Sequence, residues 1–90
     1  MKRVHVWISG NVQGVFFRAS TRRKAMDLNI KGWVKNLEDG RIEAVIEGED
    51  KAVKEMIEFL QKGPFGAKIT KFEAKEEKYT GEFEFFEINY

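Results

Sequence analysis

Val4, Val6 and Ile8 alternate with His5, Trp7 and Ser9, and a period of two marks a strand with one face on a core. Beyond Gly10 and Gly14 the period changes. Phe17, Thr21, Ala25 and Leu28 fall on one helical stripe, with Lys24 at its margin. The stripe is narrow and poor in bulk, so the predicted helix must lie close to a sheet. Asn29 and Gly32 bracket a return to extended chain. Two alternating runs then flank Asp39-Gly40, the strongest short-range hairpin signal. On the second arm Ile42, Ala44 and Ile46 share one face, and Arg41, Glu43, Val45 and Glu47 share the other.

Val53, Met56, Ile57 and Leu60 keep the i, i+3, i+4, i+7 spacing of a second helix, which Asp50 can cap and Gly63-Pro64 ends. A further strand is expected over 67–75, followed by a charged connection over 75–78, and a last strand over 82–90. In that tail Phe83 and Phe85 have one parity, and Phe86, Ile88 and Tyr90 have the other. The switch predicts a bulge or a strand covered on both faces. The order strand, helix, strand, strand, helix, strand, with an added C-terminal strand, predicts an α+β fold. It fits a ferredoxin-like split βαβ sandwich with both helices on one face of an antiparallel sheet. Ninety residues make one domain, 1–90, because two cores would each be too small to hold. Such a fold hosts many functions and selects none.

Charge narrows the choice. Sixteen basic and 15 acidic side chains leave a net charge of +1, which disfavours non-specific nucleic-acid binding. Without cysteine there is no disulfide, no thiol nucleophile and no thiolate metal site. His5 is the lone histidine, so a zinc site would have to be built almost wholly from carboxylates, and neither metal nor cofactor is expected. No apolar run approaches the ~20 residues of a membrane span. Met1-Lys2-Arg3 resembles the start of a signal peptide, but an alternating strand follows it rather than a continuous apolar segment. A cytoplasmic monomer is the simplest expectation.

The chemistry concentrates between the first strand and the first helix. Glycines let successive N–H groups converge on an anion. The start of a helix adds its own N–H groups and the positive end of its dipole. Arg18 at the junction can add a forked, permanently charged donor. Helices favour acids first and bases last. Arg18, Arg22, Arg23 and Lys24 instead lead the first helix and Asp27 comes late, whereas the second begins with Glu49 and Asp50 and ends with Lys62. A bound anion would offset that conflict. Helix charge alone leaves an ordinary solvated basic face equally open; the glycine loop tips the reading toward a phosphate cradle.

Gly10-Asn11-Val12-Gln13-Gly14-Val15-Phe16-Phe17-Arg18 resembles the signature of the acylphosphatase family. Gly32-Trp33-Val34-Lys35-Asn36-Leu37-Glu38-Asp39-Gly40 resembles its second signature, at the right distance downstream. Gly63-Pro64 followed by Ala67, and Phe86-Glu87-Ile88, fit the same pattern; Asn89 stands where a basic residue is expected. The resemblance covers essentially the whole chain. It implies hydrolysis of the carboxyl–phosphate anhydride of a small acyl phosphate by water. In that reading Arg18 binds the phosphoryl group and Asn36 positions the water. The backbone amides of Gln13, Gly14, Val15, Phe16 and Phe17 line the cradle. Taken on the residues alone, Asn36 is a turn residue ahead of Asp39-Gly40; its catalytic role comes only with the resemblance.

Two alternatives share the fold. An RNA-binding sheet would present aromatics from a central strand, and Trp7 is a candidate, but Arg41–Glu47 offers two glutamates and no aromatic. A non-catalytic module binding phosphate-bearing metabolites would need the cradle without Asn36. Related domains also occur within larger carbamoyl-transfer proteins; the length of this chain fits a free-standing small hydrolase.

Overall fold

The structure, a computed structural model, describes residues 1–14 and 16–89. Its elements are β1 (Lys2–Asn11), α1 (Phe17–Asp27), β2 (Lys31–Asn36), β3 (Ile42–Gly48), α2 (Asp50–Lys62), β4 (Lys68–Glu77) and β5 (Phe86–Asn89). The strands form one sheet in the order β4-β1-β3-β2-β5. Each crossover therefore skips a neighbour: β1-α1-β2 brackets β3, and β3-α2-β4 brackets β1. This is the expected split βαβ arrangement. Val4, Val6 and Ile8 of β1 and Ile42, Ala44 and Ile46 of β3 meet Phe17 and Ala25 of α1 and Val53, Met56 and Leu60 of α2 in one core.

The sheet is mixed rather than wholly antiparallel. β5 runs parallel to β2, with Phe86 opposite Gly32 and Ile88 opposite Val34. The chain path requires it. β4 ends beside the start of β1, with Glu77 opposite Arg3. From there the chain crosses the same end of the sheet to the start of β2, so the last strand must run in the direction of β2.

Three further expectations are corrected. Asp50 does not cap α2: Glu49 holds the N-cap position without a side-chain hydrogen bond, and Asp50 sits in the first turn, 3.4 Å from the N-terminal ammonium. Lys75–Glu77 belongs to β4 and is not a connection, because Glu77 is tied across β1 to Arg3 and His5. The tail strand begins at Phe86, not at residue 82, and Tyr90 lies outside the described residues. The change of parity is thus a change of structure: Phe86 is buried against the core, while Phe83 lies under the Arg3 guanidinium, 5.4 Å away.

On the helix-free face, Val45 and Glu47 of β3 are buried although sequence parity places them on its outer side. His5 and Trp33 flank Val45 on the neighbouring strands, and Thr80 and Gly81 cross over Glu47. The Glu47 carboxylate accepts from Thr80 N (3.1 Å), Thr80 Oγ1 (3.0 Å), Gly81 N (3.2 Å) and Arg3 Nη1 (3.2 Å). Arg3 also donates to Glu77 (3.0 Å) and Glu82 (2.7 Å). His5 lies between Glu43 (2.6 Å) and Glu77 (3.1 Å), with its ring stacked on Trp7 at 3.9 Å between centroids.

Candidate active site

β1 delivers the chain to the cleft through its two glycines, and these do different work. A Cβ at Gly10 would fall 2.1 Å from Lys68 O on β4, at the point where the β1–β4 register shifts. Gly10 therefore serves the sheet rather than a ligand. Gly14, also at positive φ (81°), faces open space, and it is this glycine that keeps the mouth of the cleft clear. Val12 between them is fully buried and anchors the turn.

Phe16 forms the N-cap of α1 in the left-handed region (φ 57°, ψ 27°), with no side-chain cap and no acid in the first turn. Helices ordinarily satisfy their leading N–H groups with Ser, Thr, Asp or Asn. Here the first helical amides stand at the cleft without an intrahelical acceptor, since the ladder begins with Ser20 N donating to Phe16 O (2.9 Å). A left-handed phenylalanine costs on the order of 1 kcal/mol or more, and its ring is 83% exposed. α1 thus opens with neither a capping side chain nor an acid in its first turn. The charge argument needs one correction: Lys24 lies in the last turn of α1, where a base suits the dipole. The conflict rests on Arg18 and on the missing acids.

Asn36, the last residue of β2, is delivered to the same cleft by the β2–β3 connection. That connection closes with Gly40 N donating to Leu37 O (3.2 Å) and Leu37 N to Arg41 O (2.8 Å). The Asp39 carboxylate accepts from Arg41 N (3.1 Å) and Arg41 Nε (2.8 Å). These bonds, the backbone one foremost, hold its carboxyl below the usual range. With its frame fixed, Asn36 still carries a buried Oδ1 that has no hydrogen-bond partner among the described residues. Buried polar atoms without partners are rare and costly. Among the described residues Thr21 Oγ1 in α1 is the other such atom, and nothing in the structure explains it.

The two halves are stitched together by a residue that sequence reading valued only for its backbone. The Gln13 amide donates to Leu37 O (2.9 Å) and Arg41 O (3.0 Å), fastening the glycine loop to the neck of the Asn36 hairpin. A long side chain with two donors inside a glycine turn was the available signal. Gln13, Gly14, Phe16, Phe17, Arg18 and Asn36 line one cleft of about 290 Å³, with Ile88 of β5 on its wall. Val15 lies outside the described residues. Among the described residues no three of His, Cys, Asp or Glu gather as a metal site.

Known proteins match both the chain and the shape. The model of the acylphosphatase family matches residues 4–88. An acylphosphatase of Syntrophus aciditrophicus is 50% identical over 90 residues, covering 100% of this chain and 94% of the relative. The crystal structure of acylphosphatase from Bacillus subtilis superposes with a TM-score of 0.95 at 32% identity, covering 100% of both chains. An acylphosphatase from Coxiella burnetii gives 0.92 at 39%, covering 98% of this chain and 92% of that one. On these grounds the chain belongs to the acylphosphatase family.

Proposed function

We propose that the chain hydrolyses the carboxyl–phosphate anhydride of acyl phosphates by in-line attack of a water held on Asn36. The phosphoryl group is held by the Arg18 guanidinium and by the amides of the 13–17 loop and helix start. The observation that carries the reading is that Asn36, whose buried Oδ1 has no hydrogen-bond partner among the described residues, lines the same cleft as Gly14 and Arg18. An amide does not titrate at working pH, so Asn36 is no general base; its carbonyl accepts a hydrogen bond and fixes the line of attack. The water oxygen bonds to phosphorus as the anhydride P–O bond breaks. The leaving group is a carboxylate, weak enough as a base to depart unprotonated, and the water's proton passes to a phosphoryl oxygen of the substrate. Phosphoryl transfer is loose, so positioning and charge stabilisation supply the catalysis. Arg18 and the amides supply the charge stabilisation.

The same reading makes the protein a cytoplasmic monomer that works without metal, nucleic acid or membrane. The RNA-binding alternative needs a bare aromatic on the open sheet face, and Trp7 already carries His5 on its ring.

The test is release of phosphate from acetyl phosphate and from an alkyl phosphate, before and after exhaustive chelation. Rapid, chelation-resistant turnover of the first and near-silence toward the second are expected, because no acid is poised to protonate an alkoxide. Inorganic phosphate should compete. Activity lost on chelation and restored by a divalent cation overturns the mechanism, and rapid ester turnover means that a general acid acts in the cleft.

A further inference from the structure

A second hollow adjoins the catalytic cleft. It is a groove of about 480 Å³ between α1 and the C-terminal end of α2, and Phe16 and Ala19 wall both spaces. Because the two spaces share Phe16 and Ala19, the acyl substituent of a phosphoryl group seated in the cleft can reach this groove across them. Phe16, Phe59 and Pro64 give the groove apolar surface, Arg23 and Lys24 give it two cations, and Asp27 one anion. Lys24 Nζ lies 5.9 Å from the centre of the Phe59 ring. Side chains on a helix lean as a rule toward its N-terminus, which is the cleft end of α1. Asp27, about a turn further along, is the most remote of the three. Arg23 follows Ala19 by one turn, ~6 Å along the axis, a spacing that a small acyl group can bridge.

We infer that this groove is an acyl subsite, in which Arg23 and Lys24 select acyl phosphates carrying a second anionic group on a flat apolar body. The inference rests on the acyl-phosphate reading given above. The cradle reads the phosphoryl group and tolerates any acyl partner; the groove adds a bias among them.

The probes are 4-carboxybenzoyl phosphate and 4-methylbenzoyl phosphate, which share a ring and differ in the distal charge. At low ionic strength kcat/KM should favour the carboxylate by roughly threefold to tenfold, the range expected of partly exposed ion pairs, and added salt should shrink the preference. In R23Q/K24Q the ratio should fall to near one, with R23Q and K24Q each removing part of it. K51Q/K54Q, altered at lysines that line a separate hollow beside β1, should keep the wild-type ratio. Equal use of both probes by the wild type, or a ratio that survives R23Q/K24Q, overturns the subsite alone. An equal loss in K51Q/K54Q also overturns it, because net charge then sets the bias. If neither probe is hydrolysed, the acyl-phosphate reading fails and the subsite falls with it.

Discussion

Asn36 Oδ1 is buried beside an uncapped helix start and has no hydrogen-bond partner among the described residues. On the opposite face of the sheet the Glu47 carboxylate is just as deeply buried, 2% exposed, and takes hydrogen bonds from Thr80, Gly81 and Arg3. Both regions place polar atoms where water is scarce. The open face closes its hydrogen-bond account within the protein; in the cleft Asn36 Oδ1 leaves one open among the described residues. An open account costs free energy in the folded state, and it is tolerated where a ligand supplies the missing partner. Among the described residues Asn36 is the cleft residue whose partner the fold does not supply; Thr21 Oγ1, equally unpartnered in α1, shows that burial without a partner does not by itself make a site.

The largest effects should come from the cleft. Arg18→Ala should raise the barrier by on the order of 3 kcal/mol or more, by analogy with removing one pre-organised donor, and should weaken phosphate inhibition as well. Arg18→Lys should recover only part, since a point charge lacks the planar fork. Asn36→Ala should lower kcat severely yet leave the phosphate inhibition constant nearly intact, the signature of an interaction made only in the transition state. If Asn36→Ala loses phosphate binding as badly as Arg18→Ala, the two do not divide the labour in this way.

The closed account should answer in stability instead. Glu47→Ala strips the acceptor from the Thr80–Gly81 crossing and one of Arg3's carboxylates, at a cost of about 2–3 kcal/mol. Glu47→Gln keeps an acceptor oxygen and should lose less. Urea midpoints read both, while kcat of the folded protein should not move. A change in kcat would mean that the open face communicates with the cleft.

Gln13 belongs to both accounts: its own bonds are satisfied, and they serve the cleft. Gln13→Ala should lower kcat by about 1–2 kcal/mol equivalent through loss of two part-buried hydrogen bonds. Paired with Asn36→Ala in a double-mutant cycle it should be strongly non-additive. Additive losses would show that the clamp supports the loop without aligning the water.

Much of this was legible beforehand, and what was not has a common cause. Val4, Val6 and Ile8, and the stripe of Val53, Met56 and Leu60, announce their elements because one-sided burial imposes a period on the sequence. The Asn36 hairpin announces itself through Asp39-Gly40. The extension of β4 to Glu77, the burial of Val45 and Glu47 and the true start of β5 were illegible, because each depends on side chains meeting across long sequence distances, as Arg3 meets Glu77 and Glu82. Gly10 and Gly14 look alike in sequence, and only the approach of Lys68 O distinguishes them. In the cleft the residue types were readable, but Asn36 took its role from a resemblance, and the Gln13 clamp needed the hairpin in place.

The smallest effect concerns acid. Hydrogen bonds from Arg3 are the leading cause holding the Glu77 and Glu82 carboxyls below their usual range, with His5 adding to the first and Thr80 to the second. In the folded protein these groups give up their protons at lower pH than in the unfolded chain, so the unfolded state binds more protons and stability rises with pH across the window. Their contribution is complete above the ordinary carboxylate pKa, about 4.3 for Glu, and is lost as pH falls through the depressed values. Both side chains are partly solvated, and screening keeps the sum small. The melting temperature should therefore drop on acidification from about pH 6 to about pH 3, and in Arg3→Gln the drop should shrink by roughly a few degrees. A variant at Arg3 that melts in parallel with the wild type across that range would remove the open-face network from any account of acid stability.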